Sequence, residues 1–209
     1  MRLVTFIHQK QEYAGVKHKD GYYALRSLIG DLAGENLLAS MLDFIRWCEG
    51  RGLPDFGALI AESGARMFST EEIKLLAPIP RPFRHVICLG KNYEDHAKEI
   101  KETIQTNQNE NLIPAAPIYF TKTACPAMSD GDVLPLHEKI TQKVDYEAEL
   151  AVIIGKTARD IAQEKAEDVI FGYTVLNDLT ARDLQVKHAQ WFFAKSLDGL
   201  SYGAGNSYL

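Results

Sequence analysis

The run from Val144 to Gly155, VDYEAELAVIIG, constrains the fold more than any other stretch of this chain. It ends in four consecutive β-branched or small apolar residues stopped by a glycine, the pattern of a strand buried on both faces. Just before them stand Glu147 and Glu149. Side chains alternate along a strand, so these two acids point to one face with Cα atoms about 6.6 Å apart. Two carboxylates beside a buried strand are costly unless a cation or hydrogen-bond donors offset them. From the pattern alone two readings stay open: the acids converge on a cation, or they lie on the solvated face of an edge strand.

A third acid bears on that choice. Asp178 ends the apolar run Phe171–Asn177, where residues at strand ends enter sites built on rigid scaffolds. Alone it is more often a turn or helix cap before Leu179-Thr180-Ala181-Arg182. Together, Glu147, Glu149 and Asp178 are three hard oxygen ligands, which suit Mg²⁺ or Mn²⁺ rather than zinc and leave room for an oxygen-rich substrate.

Around this run the chain divides at Ala77-Pro78-Ile79-Pro80-Arg81-Pro82, whose prolines can neither continue a helix nor pair inside a sheet. We expect a small α/β N-terminal domain over residues 1–80 and a second, β-rich domain over 81–209. In the first, Leu3–Ile7, Gly15–Val16 and Tyr22–Leu25 read as a small sheet. Leu37, Leu38, Met41, Leu42, Ile45 and Trp47 predict a helix stopped by Gly50 and Gly52, and a short helix follows near Phe56–Glu62. In the second, HVICLG, IYFTK and FGYTVLND predict strands, Ser129–Asp132 a turn, Asn92–Glu102 a polar helix, and Gln163–Val169 a short amphipathic one. Glu102–Asn111 is polar enough for a loop.

Composition excludes several functions. With 23 Lys and Arg against 28 Asp and Glu, the net charge is −5 and no basic run could neutralise a phosphate backbone, so nucleic acid is not an expected partner. No apolar stretch approaches the roughly 18–20 residues that span a bilayer, and the start turns polar too soon for a signal peptide. Cys48, Cys88 and Cys125 are odd in number and lack zinc-site spacing, which fits a reducing cytoplasm.

Four runs in order, GKNYEDHAKE (90–99), VDYEAELAVIIGK (144–156), FGYTVLNDLTARDLQ (171–185) and QWFFAKSLD (190–198), resemble the fumarylacetoacetate hydrolase family. The resemblance implies an α+β fold: a mixed, barrel-like β-roll catalytic domain behind a small N-terminal domain, usually as a homodimer. It implies a metal held by Glu147, Glu149 and Asp178. His96 and Glu99 lie three apart, so on a helix the carboxylate could orient the imidazole. A histidine in so polar a helix is more often a solvated surface residue. The resemblance reverses this and makes the pair the group that activates water or moves a proton.

It also places Lys122, Arg182 and Gln185 around an acidic substrate and Lys195 close to the metal. Asp183, Tyr146 and Asn177 are read as supporting residues. The implied activity is metal-dependent hydrolysis or lysis of C–C bonds in small oxo- or enol-dicarboxylates, including products of aromatic catabolism. Oxaloacetate decarboxylation and 2-hydroxyhepta-2,4-diene-1,7-dioate isomerisation are the alternatives. The ending Gly199–Leu209 lacks the Cys-Pro-Met-Gly-Pro-like turn that family members carry next. One coding of Leu200–Ala204, read one base later, begins Phe-Pro-Met-Gly-Pro, which permits a frameshift. The expectation is therefore an incomplete roll, with a truncated, catalytically inactive remnant as the competing class.

Overall fold

The computed structural model describes residues 2–19, 21–33, 38–93, 114–123 and 126–208. The expected helix over Asn92–Glu102, with His96 and Glu99, the loop after it and Cys125 lie outside these residues, apart from Asn92 and Tyr93.

Strands β1 (Arg2–His8), β2 (Gln11–His18) and β3 (Gly21–Ala24) form an antiparallel meander. Helix α1 (Leu25–Ala33) follows at once. The sequence reading extended the sheet to Leu25 and missed this helix, because Tyr22–Leu25 is apolar without a break. Helix α2 is shorter than expected, Met41–Cys48. Ser40 caps its N-terminus by accepting from the Asp43 N–H, and Leu38 lies in the turn before it. Helix α3 (Phe56–Ser63) runs from an Asp55 cap to Gly64 in the left-handed region, φ 58°.

These helices cover one face of the meander. Leu3, Ala14 and Val16 pack with Leu25, Ile29, Phe44 and Phe56. On the other face Val4, Phe6, Tyr22 and Phe68 form a second cluster. Strand β1 is thus buried on both sides, and it also pairs with β4 (Lys74–Leu76).

The proline stretch docks onto β1 and the Ser129 turn. Thr5 Oγ1 donates to the Pro78 carbonyl at 2.7 Å, and the Ala77 N–H donates to Ser129 Oγ at 2.9 Å. Strands β5 (Val86–Gly90) and β6 (Ile118–Lys122) pair as a separate antiparallel ribbon. The turn expected at Ser129–Asp132 is present, closed by the Asp132 N–H on the Ser129 carbonyl at 3.1 Å.

The carboxylate-bearing run is two strands rather than one. Strand β7 (Val144–Asp145) pairs with β10 (Thr180–Ala181), whereas β8 (Ala148–Ile154) pairs with β9 (Ile170–Asp178). Glu147 stands in the break, its N–H on Asn177 Oδ1 at 3.1 Å and its carbonyl accepting from the Asp178 N–H at 2.7 Å. The segment expected as an amphipathic helix is a 3-10 helix over Gln163–Val169 with no buried residue. Helices α4 (Arg182–Lys187) and α5 (Phe192–Lys195) follow β10, and β11 (Ser201–Tyr208) inserts between β1 and β9.

The main sheet therefore has the order β3-β2-β1-β11-β9-β8, with β4 also on β1. It joins strands from both sides of the proline stretch, and Ile153 and Phe171 pack against the N-terminal helices. Among the described residues the strands do not close into a barrel.

A further expectation is overturned. Strand β8 is not buried on both faces: Leu150, Val152 and Ile154 share one face and are 61%, 47% and 57% exposed, and Tyr173 and Val175 beside them on β9 are exposed too. A continuous apolar run looks the same in sequence whether another layer covers its outer face or not.

Candidate active site

The site forms where β9 ends, where the chain breaks between β7 and β8, and where β6 and α5 approach them. Asp178 is the last residue of β9 and is 3% exposed. Lys122, the last residue of β6, is fully buried, and Lys195, at the end of α5, is 2% exposed. The register of β5 on β6 brings Cys88 beside them. Helix α5 sits close over this ribbon, because any Cβ at Gly90 would meet the Trp191 ring.

The ion pairs are dense. Lys122 Nζ donates to Asp178 Oδ1 and, at 2.7 Å, to the Leu179 carbonyl. Lys195 Nζ bridges Asp178 Oδ2 and Glu147 Oε2, at 2.8 Å to each, and lies 5.0 Å from the centre of the Phe120 ring. Arg182 reaches Glu147 Oε1 through Nη1 at 2.6 Å and Asp145 Oδ2 through Nε at 2.8 Å. Its Nη1 also donates to Gln185 Oε1 at 3.1 Å. Burial and charge set the titration of these groups. Burial opposes ionisation of Asp178, but Lys122 and Lys195 outweigh it and hold its carboxyl below the usual range. Burial pulls the Lys122 ammonium down despite Asp178. Burial also opposes the charge on Arg182, and Glu147 and Asp145 more than compensate. Burial, reinforced by the Asp178 charge, pushes the Cys88 thiol up to about 12.

The structure thus brings together Glu147, Asp178, Lys122, Arg182, Gln185 and Lys195 of the expected site. Glu149 is half-buried on β8, opposite Leu176. His96 and Glu99 are outside the described residues. Sequence reading missed Asp145 and Cys88. Asp145 sits inside the acidic motif, so its place two residues before Glu147 was the available signal; nothing in the sequence pointed to Cys88, which arrives through strand register. Of the supporting residues, Asn177 holds the Glu147 N–H, and Asp183 holds the loop before β7 through Thr141 and the Gln142 N–H.

The donor chemistry fits a hard divalent cation, since Glu147 and Asp178 offer carboxylate oxygens on adjoining chain segments. Among the described residues, however, no three His, Cys, Asp or Glu side chains stand together as a metal-holding group. Between Glu147 and Asp178 stands the Lys195 ammonium instead. Such buried cations beside carboxylates suit recognition of a small acidic molecule and stabilisation of a developing oxyanion.

Comparison with known proteins decides the family. The model of the fumarylacetoacetate hydrolase C-terminal domain matches residues 85–203, more than half of the chain. The chain belongs to the fumarylacetoacetate hydrolase family. Within it, oxaloacetate tautomerase YisK of Bacillus subtilis is 49% identical over 137 residues, covering 66% of this chain and 43% of that protein. An uncharacterized protein of Methanocaldococcus jannaschii, MJ1656, is 45% identical over 113 residues, 54% of this chain and 44% of its own. The chain therefore spans less than half the length of these two relatives.

Among solved structures, the fumarylacetoacetate hydrolase of Exiguobacterium antarcticum superposes with a TM-score of 0.73 at 33% identity, covering all of this chain and 66% of its own. The maleylpyruvate hydrolase of Sphingobium sp. SYK-6, in complex with manganese(II) and pyruvate, gives 0.67 at 28% identity, covering all of this chain and 67% of its own. These likenesses bear out the expected family and α+β fold.

Proposed function

We propose that this chain carries the charged cluster of an active site that forms and stabilises the enolate of a small 2-oxo dicarboxylate, with oxaloacetate keto–enol interconversion as the first reading. One observation carries it: a buried cluster in which Lys122, Lys195 and Arg182 surround Glu147 and Asp178 at the strand ends. The 49% identity to an oxaloacetate tautomerase supports the substrate class.

Glu147, Glu149 and Asp178 would hold Mg²⁺ or Mn²⁺. When bound, the ion supplies polarisation of the 2-oxo group. The Lys195 ammonium stabilises the negative charge that develops on the carbonyl oxygen, and Arg182 and Lys122 supply positive charge toward the carboxylates. His96, with Glu99, takes the proton from the carbon next to the carbonyl and delivers it to the enolate oxygen to give the enol, and the reverse pair of transfers restores the ketone. Hydrolysis of a C–C bond next to the same enolate is the second reading. It is favoured by the likeness to a maleylpyruvate hydrolase that binds manganese and pyruvate.

The test follows the ultraviolet signal of enol oxaloacetate, and pyruvate release from maleylpyruvate, with and without Mn²⁺. Metal-dependent acceleration of the first is expected, falling about 10²-fold in Lys195→Met, the loss typical of a removed oxyanion donor. Faster pyruvate release than enol decay would favour the hydrolase. A folded chain that binds Mn²⁺ but is inert toward both would favour the catalytically inactive remnant.

A further inference from the structure

We infer that Lys195 is the internal counter-cation of the metal-free site and that a divalent ion binds by taking its place. The inference rests on the metal site of the proposed function and says how that site is kept stable and what competes for it.

The argument begins with the oxygens. Each carboxylate oxygen of Glu147 and Asp178 has a cationic partner: Oε1 faces Arg182, Oε2 and Oδ2 share Lys195, and Oδ1 faces Lys122. Of these cations Lys195 bridges both acids. Its side chain is 2% exposed, beside 4% for Asp178 and 10% for Glu147, so solvent screens the three charges little. Asp145, Glu147 and Asp178 meet Lys122, Lys195 and Arg182 in these pairs, and Glu149 stands half-buried on the adjoining strand.

A divalent ion that bridges Glu147 Oε2 and Asp178 Oδ2 would lie where Lys195 Nζ stands, 2.8 Å from each, and two positive charges repel strongly in so buried a position, so the ammonium gives way. Lys195 then becomes free to face an anionic ligand. Metal binding and exposure of the ammonium to substrate are in this way one event, and Lys195 is a positioning residue for the metal before it is a catalytic one.

The experiment titrates Mn²⁺ into the 209-residue chain by calorimetry and records melting temperatures with and without the ion. Lys195→Met, similar in length but uncharged, should melt lower without metal, bind Mn²⁺ about tenfold tighter or more, and show the larger Mn²⁺-induced rise in melting temperature. Lys195→Arg, which keeps the charge, should not tighten binding. Equal or weaker Mn²⁺ affinity in Lys195→Met, or equal tightening in Lys195→Arg, would overturn the inference while leaving the metal site standing. No Mn²⁺ binding by any of the three proteins would overturn the metal site and this inference with it. If Lys195→Met does not fold without metal, Lys195→Gln, uncharged but still able to donate a hydrogen bond to the acids, answers the same question. Tightening of about threefold or more is expected there, and no change would overturn the competition.

Discussion

Replacing Asp178 by Asn tests whether the buried ion cluster holds this half of the molecule together. The carboxylate takes Lys122 on one oxygen and Lys195 on the other, and the three side chains are 4%, 1% and 2% exposed. An amide of the same shape leaves Lys122 with the Leu179 carbonyl and Lys195 with Glu147, both still out of water. Removing one partner of a buried pair costs about 3–5 kcal/mol, because the remaining charge stays desolvated. For a chain of this size about 2–4 °C of melting temperature accompanies each kcal/mol, so a fall of about 6–20 °C is expected. The assay is urea unfolding and calorimetry in a chelating buffer at neutral pH, so that no metal substitutes for the lost charge balance. Lys74→Ala is the control. Its pair with Asp132 is of similar length, 2.6 Å, but Lys74 is 58% exposed, and such pairs contribute about 0–1 kcal/mol. An Asp178→Asn variant that loses no more stability than the control would refute the claim that this cluster is energetically buried.

Three further outcomes are expected. Asp183 is held below the usual carboxylate range by Thr141 and by the Gln142 and Leu184 N–H groups, so its contribution is complete above the unfolded-state value of about 3.9 and is lost as pH falls through the lower native one. Urea midpoints between about pH 2 and 6 should therefore fall less steeply on the acid side in Asp183→Asn. Phe44 is fully buried against the Trp47, Phe56 and Phe171 rings, and Phe44→Ala should cost about 3–5 kcal/mol by the same unfolding assay. The outer face of β8 and β9 exposes Leu150, Val152, Ile154, Tyr173 and Val175 in one patch. The 209-residue chain should bind a dye that reports apolar surface, and Leu150→Lys with Val152→Thr should reduce that signal without changing its circular dichroism.

How much of this was legible in the sequence follows from the range of each interaction. The turn at Ser129–Asp132 and the strand that ends in Asp178 depend on neighbours within a few residues, and their residue types declare them, whereas the Ser40 cap that starts α2 was not read and the helix was expected to begin earlier. The family resemblance grouped Glu147, Glu149, Asp178, His96, Glu99, Lys122, Arg182, Gln185 and Lys195, and the fold brings Glu147, Asp178, Lys122, Arg182, Gln185 and Lys195 together.

Tertiary structure decided the rest. Whether VDYEAELAVIIG was one strand depended on two different partners, β10 and β9, which part at Glu147. Whether its apolar run was covered depended on a second layer packing on that face, and the outer face of β8 and β9 stays exposed. The identity of the cation between Glu147 and Asp178 depended on Lys195, which is 48 residues from the first and 17 from the second. Alternation and capping are properties of a local backbone and can be read along the chain. Sheet order and charge pairing are properties of segments brought together by burial, and a buried carboxylate records only its need for a positive partner, leaving the fold to choose which one arrives.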